Sequence, residues 1–334
     1  MKLLVCGGAG FMGSHFIKYI LAKYPDYQVV NFDKLTYAGN LENLRDIEKN
    51  SHYKFVQGDI CDREAVAKVV QENSIDAIVN YAAETHVDRS IMDPEAFLRT
   101  DVLGIFNLLE ATKNFNLTKM VQVSTDEVYG SIAQGSFSEE SPFAPNSPYA
   151  AAKAGGDHLC RAYFVTHKTP VVVSHSCNFY GANQYPEKLI PFFITNLLEG
   201  KKVPLYGDGE NVRQWIHTGD HCLAIDVLLH KAKPGEVYNI GSGTEMQNIE
   251  LTKLILAEMG FGDEMIEPVK DRPGHDRRYS INFNKMSKDF GWQPEKDFVD
   301  GLKETISWYR NNIDWWKPLK SGEYLEYFKK QYKV

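Results

Sequence analysis

The sequence predicts an α/β fold, a doubly wound parallel sheet with a smaller α+β region toward its C-terminus, and three observations predict it. Short β-branched runs alternate with helix-length amphipathic segments through the first half, as strand–helix–strand units of a parallel sheet require. The first run ends in a glycine-rich turn, GGAGFMG, that opens a helical pattern. After about residue 175 the alternation breaks down, and Pro186, Pro191, Pro204, Gly207 and Gly209 punctuate the chain, which marks a region of different architecture.

Taken in order, the expected strands are residues 3–6, 28–32, 54–57, 77–80, 120–124 and 170–174. The expected helices are 13–24, 63–73, 95–115 and 149–166, where apolar residues recur at three- and four-residue spacing, the mark of a helix covering a sheet. A late helical pattern at 298–311 precedes an aromatic tail with Trp315, Trp316, Tyr324, Tyr327 and Phe328. The division expected is a first domain of 1–178 with returning segments at about 214–242, and a smaller ligand-binding domain of 179–213 and 243–334.

The bulk composition narrows the function. A net charge of −7 argues against nucleic acid or an anionic membrane as the main partner. Cys6, Cys61, Cys160, Cys177 and Cys222 are scattered, odd in number and without a CxxC pair, which suits reduced thiols in a cytoplasm. The N-terminal apolar run is too short for a secretory leader, and no run approaches the roughly 18 apolar residues of a membrane span.

The turn places Gly7, Gly10 and Gly13 between a strand and a helix. Glycine there allows a tight turn and lets backbone approach a pyrophosphate seated on the helix N-terminus; alone, the same triplet also fits an ordinary strand–helix turn. Asp33 ends the second expected strand. A carboxylate at that place accepts from ribose hydroxyls and repels a 2′-phosphate, so the combination reads as a Rossmann-type site for NAD rather than NADP.

The segment SPYAAAKAGGD sets Tyr149 and Lys153 four residues apart, on one face of a helix. A lysine ammonium beside a phenol favours phenolate and lowers its pKa toward that of a useful base. The plain alternative is a solvated surface pair. Two adjacent carboxylates, Asp126 and Glu127, follow Thr125 at the end of the fifth expected strand. In open α/β sheets ligands bind there, and neighbouring acids with separated pKa values supply an acid and a base, as loss of water beside a carbonyl needs. A solvated turn is again the alternative.

On these residues the sequence resembles the extended short-chain dehydrogenase/reductases and, within them, the dTDP-glucose 4,6-dehydratase family. The resemblance runs nearly end to end through GGAGFMGSH, DKLTYAGN, GDICD, AAETHVDRSI, STDEVYG, SPYAAAKA, YPEKLIP, YGDG, DRPGHDRRY and WWKPLKSGEY. It implies that Tyr149 takes the proton of the sugar 4-OH as C4 gives hydride to NAD, with Thr125 hydrogen-bonded to O4. Glu127 then removes the C5 proton, Asp126 protonates the departing C6 hydroxyl, and hydride returns to C6, giving a 4-keto-6-deoxy sugar with no net oxidation. It implies that the cofactor is held by Phe11, Met12, Asp33, Lys34, Leu35 and Thr36, by Asp59 and Ile60, and by Tyr81, Ala82, Ala83, Glu84 and Thr85, together with Thr100, Lys153 and Phe179. The nucleotide-diphosphate hexose is expected on Thr85, Thr125, Asn178, Lys188 and Leu189, on Pro204, Leu205 and Tyr206, and on Arg213 and Asn248. The run Asp271, Arg272, Pro273, Gly274 and His275 is expected to complete that site, and family members are commonly homodimers joined through cofactor-domain helices.

Arg213 is a forked donor suited to a diphosphate, and Lys188 with the RPGHDRR run adds positive charge to an acidic chain. His217 and His221 stand four apart without a third ligand, so no metal is expected. Cys6 replaces a usual threonine, which is expected to be harmless. Phe179, Ala182 and Gln214 also depart from the family pattern, and are expected near the nicotinamide or the sugar diphosphate. The rival activities are a UDP-glucose 4,6-dehydratase, another nucleotide-sugar epimerase or decarboxylase, and a non-catalytic NAD-binding regulator. Epimerases typically lack the Asp-Glu pair, and a regulator has no need of Tyr149, Lys153 or the acids.

Overall fold

In the computed structural model, which describes residues 1–271 and 273–321, the first half forms the expected sheet. Strands β1 (Lys2–Cys6), β2 (Gln28–Asp33), β3 (Tyr53–Gln57), β4 (Ala77–Asn80), β5 (Lys119–Thr125) and β6 (Val171–Ser176) are joined at the edge by β10 (Val237–Ile240) in the order β10-β6-β5-β4-β1-β2-β3. Every pairing is parallel, with Cys6 opposite Phe32 on one side and Asn80 on the other. Leu3, Leu4, Val5 and Cys6 are fully buried, because helices cover both faces. The order reverses between β1 and β4, so the loops after these strands part and leave a crevice.

Helix α1 (Phe11–Lys23) buries Met12, Phe16, Ile17, Ile20 and Leu21, the stripe that its spacing predicts. Asp62 caps α2 (Arg63–Asn73) by accepting from the N–H groups of Glu64 and Ala65, as an N-terminal aspartate does. The single helix expected over 95–115 is interrupted: α4 (Glu95–Leu98) and α5 (Ile105–Asn114) flank a π-helical turn, Arg99–Gly104. Such a turn widens the helix and marks functional places. Its backbone lies close to α6 (Pro148–His167), since a Cβ on Gly156 would stand 2.4 Å from the Asp101 carbonyl oxygen. Between β4 and α4 the chain forms a short α3 (Val87–Met92), which the sequence pattern did not reveal.

Beyond β6 lie two small sheets, β11-β9-β7 and β12-β8, built from β7 (Asn178–Tyr180), β8 (Val203–Tyr206), β9 (Val212–His217), β11 (Glu245–Gln247) and β12 (Ile266–Val269). Helices α7 (Leu189–Leu198), α9 (Asn248–Met259) and α11 (Phe298–Asn311) enclose a separate apolar core around Phe193, Trp215, Leu251, Leu302 and Trp316. Between them α8 (Thr218–Lys231) returns to α1, where buried Asp226 accepts from the hydroxyls of Tyr19 and Tyr24 and from Lys23. Residues near α10 (Asn284–Phe290) also return: Ile281, Met286 and Trp292 share the core of Leu3 and Val5, although their span was expected in the smaller domain. A sequence pattern shows that a residue is apolar, not which of two cores takes it. Among the described residues no helix is long and apolar enough to cross a membrane. Arg272 and the tail residues Tyr324, Tyr327 and Phe328 lie outside the described residues.

Candidate active site

The glycine turn is shaped by the protein's own packing. Gly7 has φ +71°, and a Cβ there would stand 2.5 Å from the Ala82 nitrogen; on Gly13 it would stand 2.3 Å from the Gly7 carbonyl. Gly10, by contrast, has only that carbonyl near, at 3.2 Å, and it leads into α1 with no side-chain cap and no acid in the first turn. The N–H groups of the helix start are thus left for an anion.

Asp33 accepts from the N–H of Ala9 at 2.9 Å and of Leu35 at 2.8 Å. Leu35 takes φ +58° to make that bond. Burial nevertheless pushes the Asp33 acid up. Each carboxylate oxygen has a second lone pair, and the side chain faces the crevice, as acceptance from ribose hydroxyls requires. Lys34 is committed to Asp59 at 2.7 Å. These features fit a dinucleotide without a 2′-phosphate.

Tyr149 and Lys153 enter the same crevice from α6. Ser147 caps the helix by accepting from the Ala150 N–H, and Pro148 takes its first position, the place that tolerates proline. Lys153 is buried and donates to the Val123 carbonyl at 3.0 Å, with its ammonium 3.5 Å from Asp101 Oδ1. The phenol of Tyr149 is not lowered as the pair alone predicts. Burial, then the charges of Glu127 and Asp101, hold it well above its ordinary value, and the Thr125 hydroxyl opposes them. The spacing identified the cation and missed the carboxylates that the fold brings in.

Thr125 ends β5 and caps the 3₁₀ turn Asp126–Tyr129 by accepting from the Glu127 N–H at 3.3 Å. Asp126 is 1% exposed. Burial, then Glu127, raises its acid to about 8 against the pull of Arg213, so at neutral pH it carries its proton.

A single cavity of about 400 Å³ joins these groups. Of the expected site residues among those described, all line it except Leu35, Asp271, Pro273 and Gly274. Asp271 touches it through His275, whose Nδ1 lies 2.6 Å from Asp271 Oδ1. Arg213 is buried: it donates to the carbonyls of Val212 and Asp276, and its guanidinium stacks 3.8 Å from the Tyr279 ring centre. Lys188 donates to the Thr85 carbonyl. Sequence reasoning missed Glu187, Trp215 and Tyr279 in the lining, and Asp101 beside Lys153. Glu187 and Tyr279 stand inside the YPEKLIP and DRPGHDRRY segments and Trp215 two residues beyond Arg213, so their neighbours were a signal; Asp101 stands in none of the motif segments.

Gln214 corrects an expectation. It was placed near the ligands, but Arg213 and Trp215 line the cavity and Gln214 does not. Side chains alternate along a strand, and Gln214 points away to donate to the Ile281 carbonyl at 3.0 Å. Phe179 does line the cavity, packed edge-on against His221 with ring centres 4.5 Å apart. His217 caps α8, accepting from the Gly219 N–H. His221 is buried beside Ser176 Oγ at 3.1 Å, and burial drives its pKa down to about 3.

A parallel sheet with its crevice at the order reversal, and a Tyr-x-x-x-Lys helix facing that crevice, is the arrangement of the extended short-chain dehydrogenase/reductases. The chain belongs to the family described as GDP-mannose 4,6 dehydratase, whose model matches residues 4–305. It is 52% identical to a dTDP-glucose 4,6-dehydratase of Streptomyces niveus over 97% of each chain. The dTDP-glucose 4,6-dehydratase of Streptomyces venezuelae, solved with NAD bound, superposes with a TM-score of 0.94 at 49% identity, covering 96% of this chain and 100% of that one. That of Bacillus anthracis, also solved with NAD, gives 0.90 at 50% identity over 96% of this chain and 100% of that one.

Proposed function

We propose that the protein is an NAD-dependent dTDP-glucose 4,6-dehydratase, a hydro-lyase. The observation that carries this reading is the buried Asp126, its acid pushed up by burial and by Glu127, in the cavity that also holds Glu127, Tyr149 and Lys153. Oxidation and reduction alone need no acid–base pair at that strand end; expulsion of water does. Bound NAD supplies a hydride acceptor for C4 and a hydride donor for C6. Gly7, Gly10 and Gly13 let the backbone approach its pyrophosphate, Asp33 holds a ribose, and Lys153 holds the nicotinamide ribose.

Tyr149 accepts the proton of the sugar 4-OH, and Thr125 positions O4. Once C4 is a ketone the C5 hydrogen is acidic, and Glu127 removes it. Asp126 gives its proton to the leaving C6 hydroxyl, which departs as water, and Glu127 returns a proton to C5 as C6 becomes a methyl group. Arg213 and Lys188 offset the diphosphate charge, with Asn178, Leu189, Tyr206, Asn248 and His275 around the nucleotide. Incubation with dTDP-glucose is expected to give a 4-keto-6-deoxy product lighter by one water, by mass spectrometry. UDP-glucose should react less well, because one thymine methyl is worth about 1–3 kcal/mol of discrimination. No loss of water from either sugar refutes the dehydratase reading, and a higher kcat/KM for UDP-glucose reassigns the nucleotide.

A homodimer suits the surface. Ile91, Met92, Leu98, Leu103 and Val165 are exposed apolar side chains on α3, α4, the π-turn and α6, helices that pack on one another in the cofactor domain, and association through them removes this area from water. Sedimentation velocity should show twice the chain mass; a monomer at micromolar concentration overturns this.

A further inference from the structure

Asp101 stands beside the Tyr149–Lys153 pair, and the reaction above does not use it. Its side chain is fully buried in the π-helical turn. Oδ1 lies 3.5 Å from Lys153 Nζ, and neither carboxyl oxygen has a well-aligned hydrogen-bond donor, although the Glu84 N–H is close. A buried carboxylate so placed is costly. Taking up a proton removes that cost, and burial raises this acid to about 7 against the pull of Lys153.

The charged groups that face Asp101 are few. From α6 they are Lys153 and Tyr149, and from the segment after β4, Glu84. Within its own helix, Arg99 pairs with Glu95, and Glu110 pairs with Arg63 and Lys113. When Asp101 is ionised it attracts the Lys153 ammonium, and its charge opposes formation of the phenolate. When it is protonated both effects vanish.

We propose that Asp101 is a positioning residue for the first proton transfer: by gaining or losing a proton it divides the Lys153 ammonium between itself and Tyr149. The inference rests on Tyr149 being the base, so its test separates the two. Asp101→Asn keeps the shape and mimics the protonated acid. Removing a like charge from beside the phenol lowers the phenol's pKa, so the step should reach half its maximal rate at lower pH. The acid limb of cofactor reduction, followed by absorbance in a single turnover of the holoenzyme, is expected to move down by about 1 unit or more, with KM for dTDP-glucose unchanged.

An unmoved limb in Asp101→Asn, while Tyr149→Phe abolishes the step, overturns the role of Asp101 alone. Cofactor reduction that survives Tyr149→Phe overturns the reading beneath it. A second measurement needs neither variant nor turnover. In ¹³C-aspartate-labelled holoenzyme the Asp101 carboxyl should titrate near neutrality; titration in the ordinary range near 4 overturns the proposal.

Discussion

Replacing Tyr149 by Phe is expected to lower turnover by about 10²–10⁴-fold, the usual contribution of a positioned general base, while KM for dTDP-glucose stays within about threefold. The substitution removes one hydroxyl from a buried ring and leaves the diphosphate contacts alone. The loss should fall on the first step, so cofactor reduction disappears along with product. Because burial, Glu127 and Asp101 hold the phenol well above its ordinary value, the active base form gains population as pH rises, and the rate of the first step should climb with pH in the wild type. Single-turnover absorbance measures both effects. Reduction at more than a tenth of the wild-type rate in Tyr149→Phe shows that another group takes the 4-OH proton.

The acid–base turn should behave in the opposite way. Asp126→Asn and Glu127→Gln are expected to leave C4 oxidation within about tenfold of wild type and to slow loss of water by about 10²–10⁴-fold. Reduced cofactor and the 4-keto hexose then accumulate, which absorbance and mass spectrometry resolve. Asp126 serves as an acid and must carry its proton. Its carboxyl is raised to about 8, so the proton is present at neutral pH and is lost as pH rises through that value. Elimination should therefore fall on the alkaline side with a midpoint near 8, and Asp126→Asn should lack this limb. If both variants lose water at the parent rate, the assignment of acid and base is wrong.

Much of the fold was legible because local pattern and burial agree in the first half. The apolar runs at β1, β2 and β4 lie buried between helices, and a run buried on both faces is readable without its partners. The interrupted helix at 95–114 was not, since a π-turn uses the same residues as the α-helix around it. Nor was α7, whose sequence LIPFFITNLL is buried almost all round and so shows no amphipathic period.

The candidate site divides along the same line. The glycine turn, the four-residue step from Tyr149 to Lys153 and the adjacent acids Asp126 and Glu127 are relations along a few residues of one strand, turn or helix. They are local relations carried by the order of the residues, and the sequence by itself was enough to find them. The tertiary structure decided which side of β9 faces the cavity, so that Arg213 enters it and Gln214 ties the strand to Ile281. It also brought Asp101 to Lys153 across helix packing, and it set the protons. The pKa of Asp126 or of Tyr149 depends on how much water the surrounding chain excludes and on charges from other elements, which no spacing in the sequence specifies.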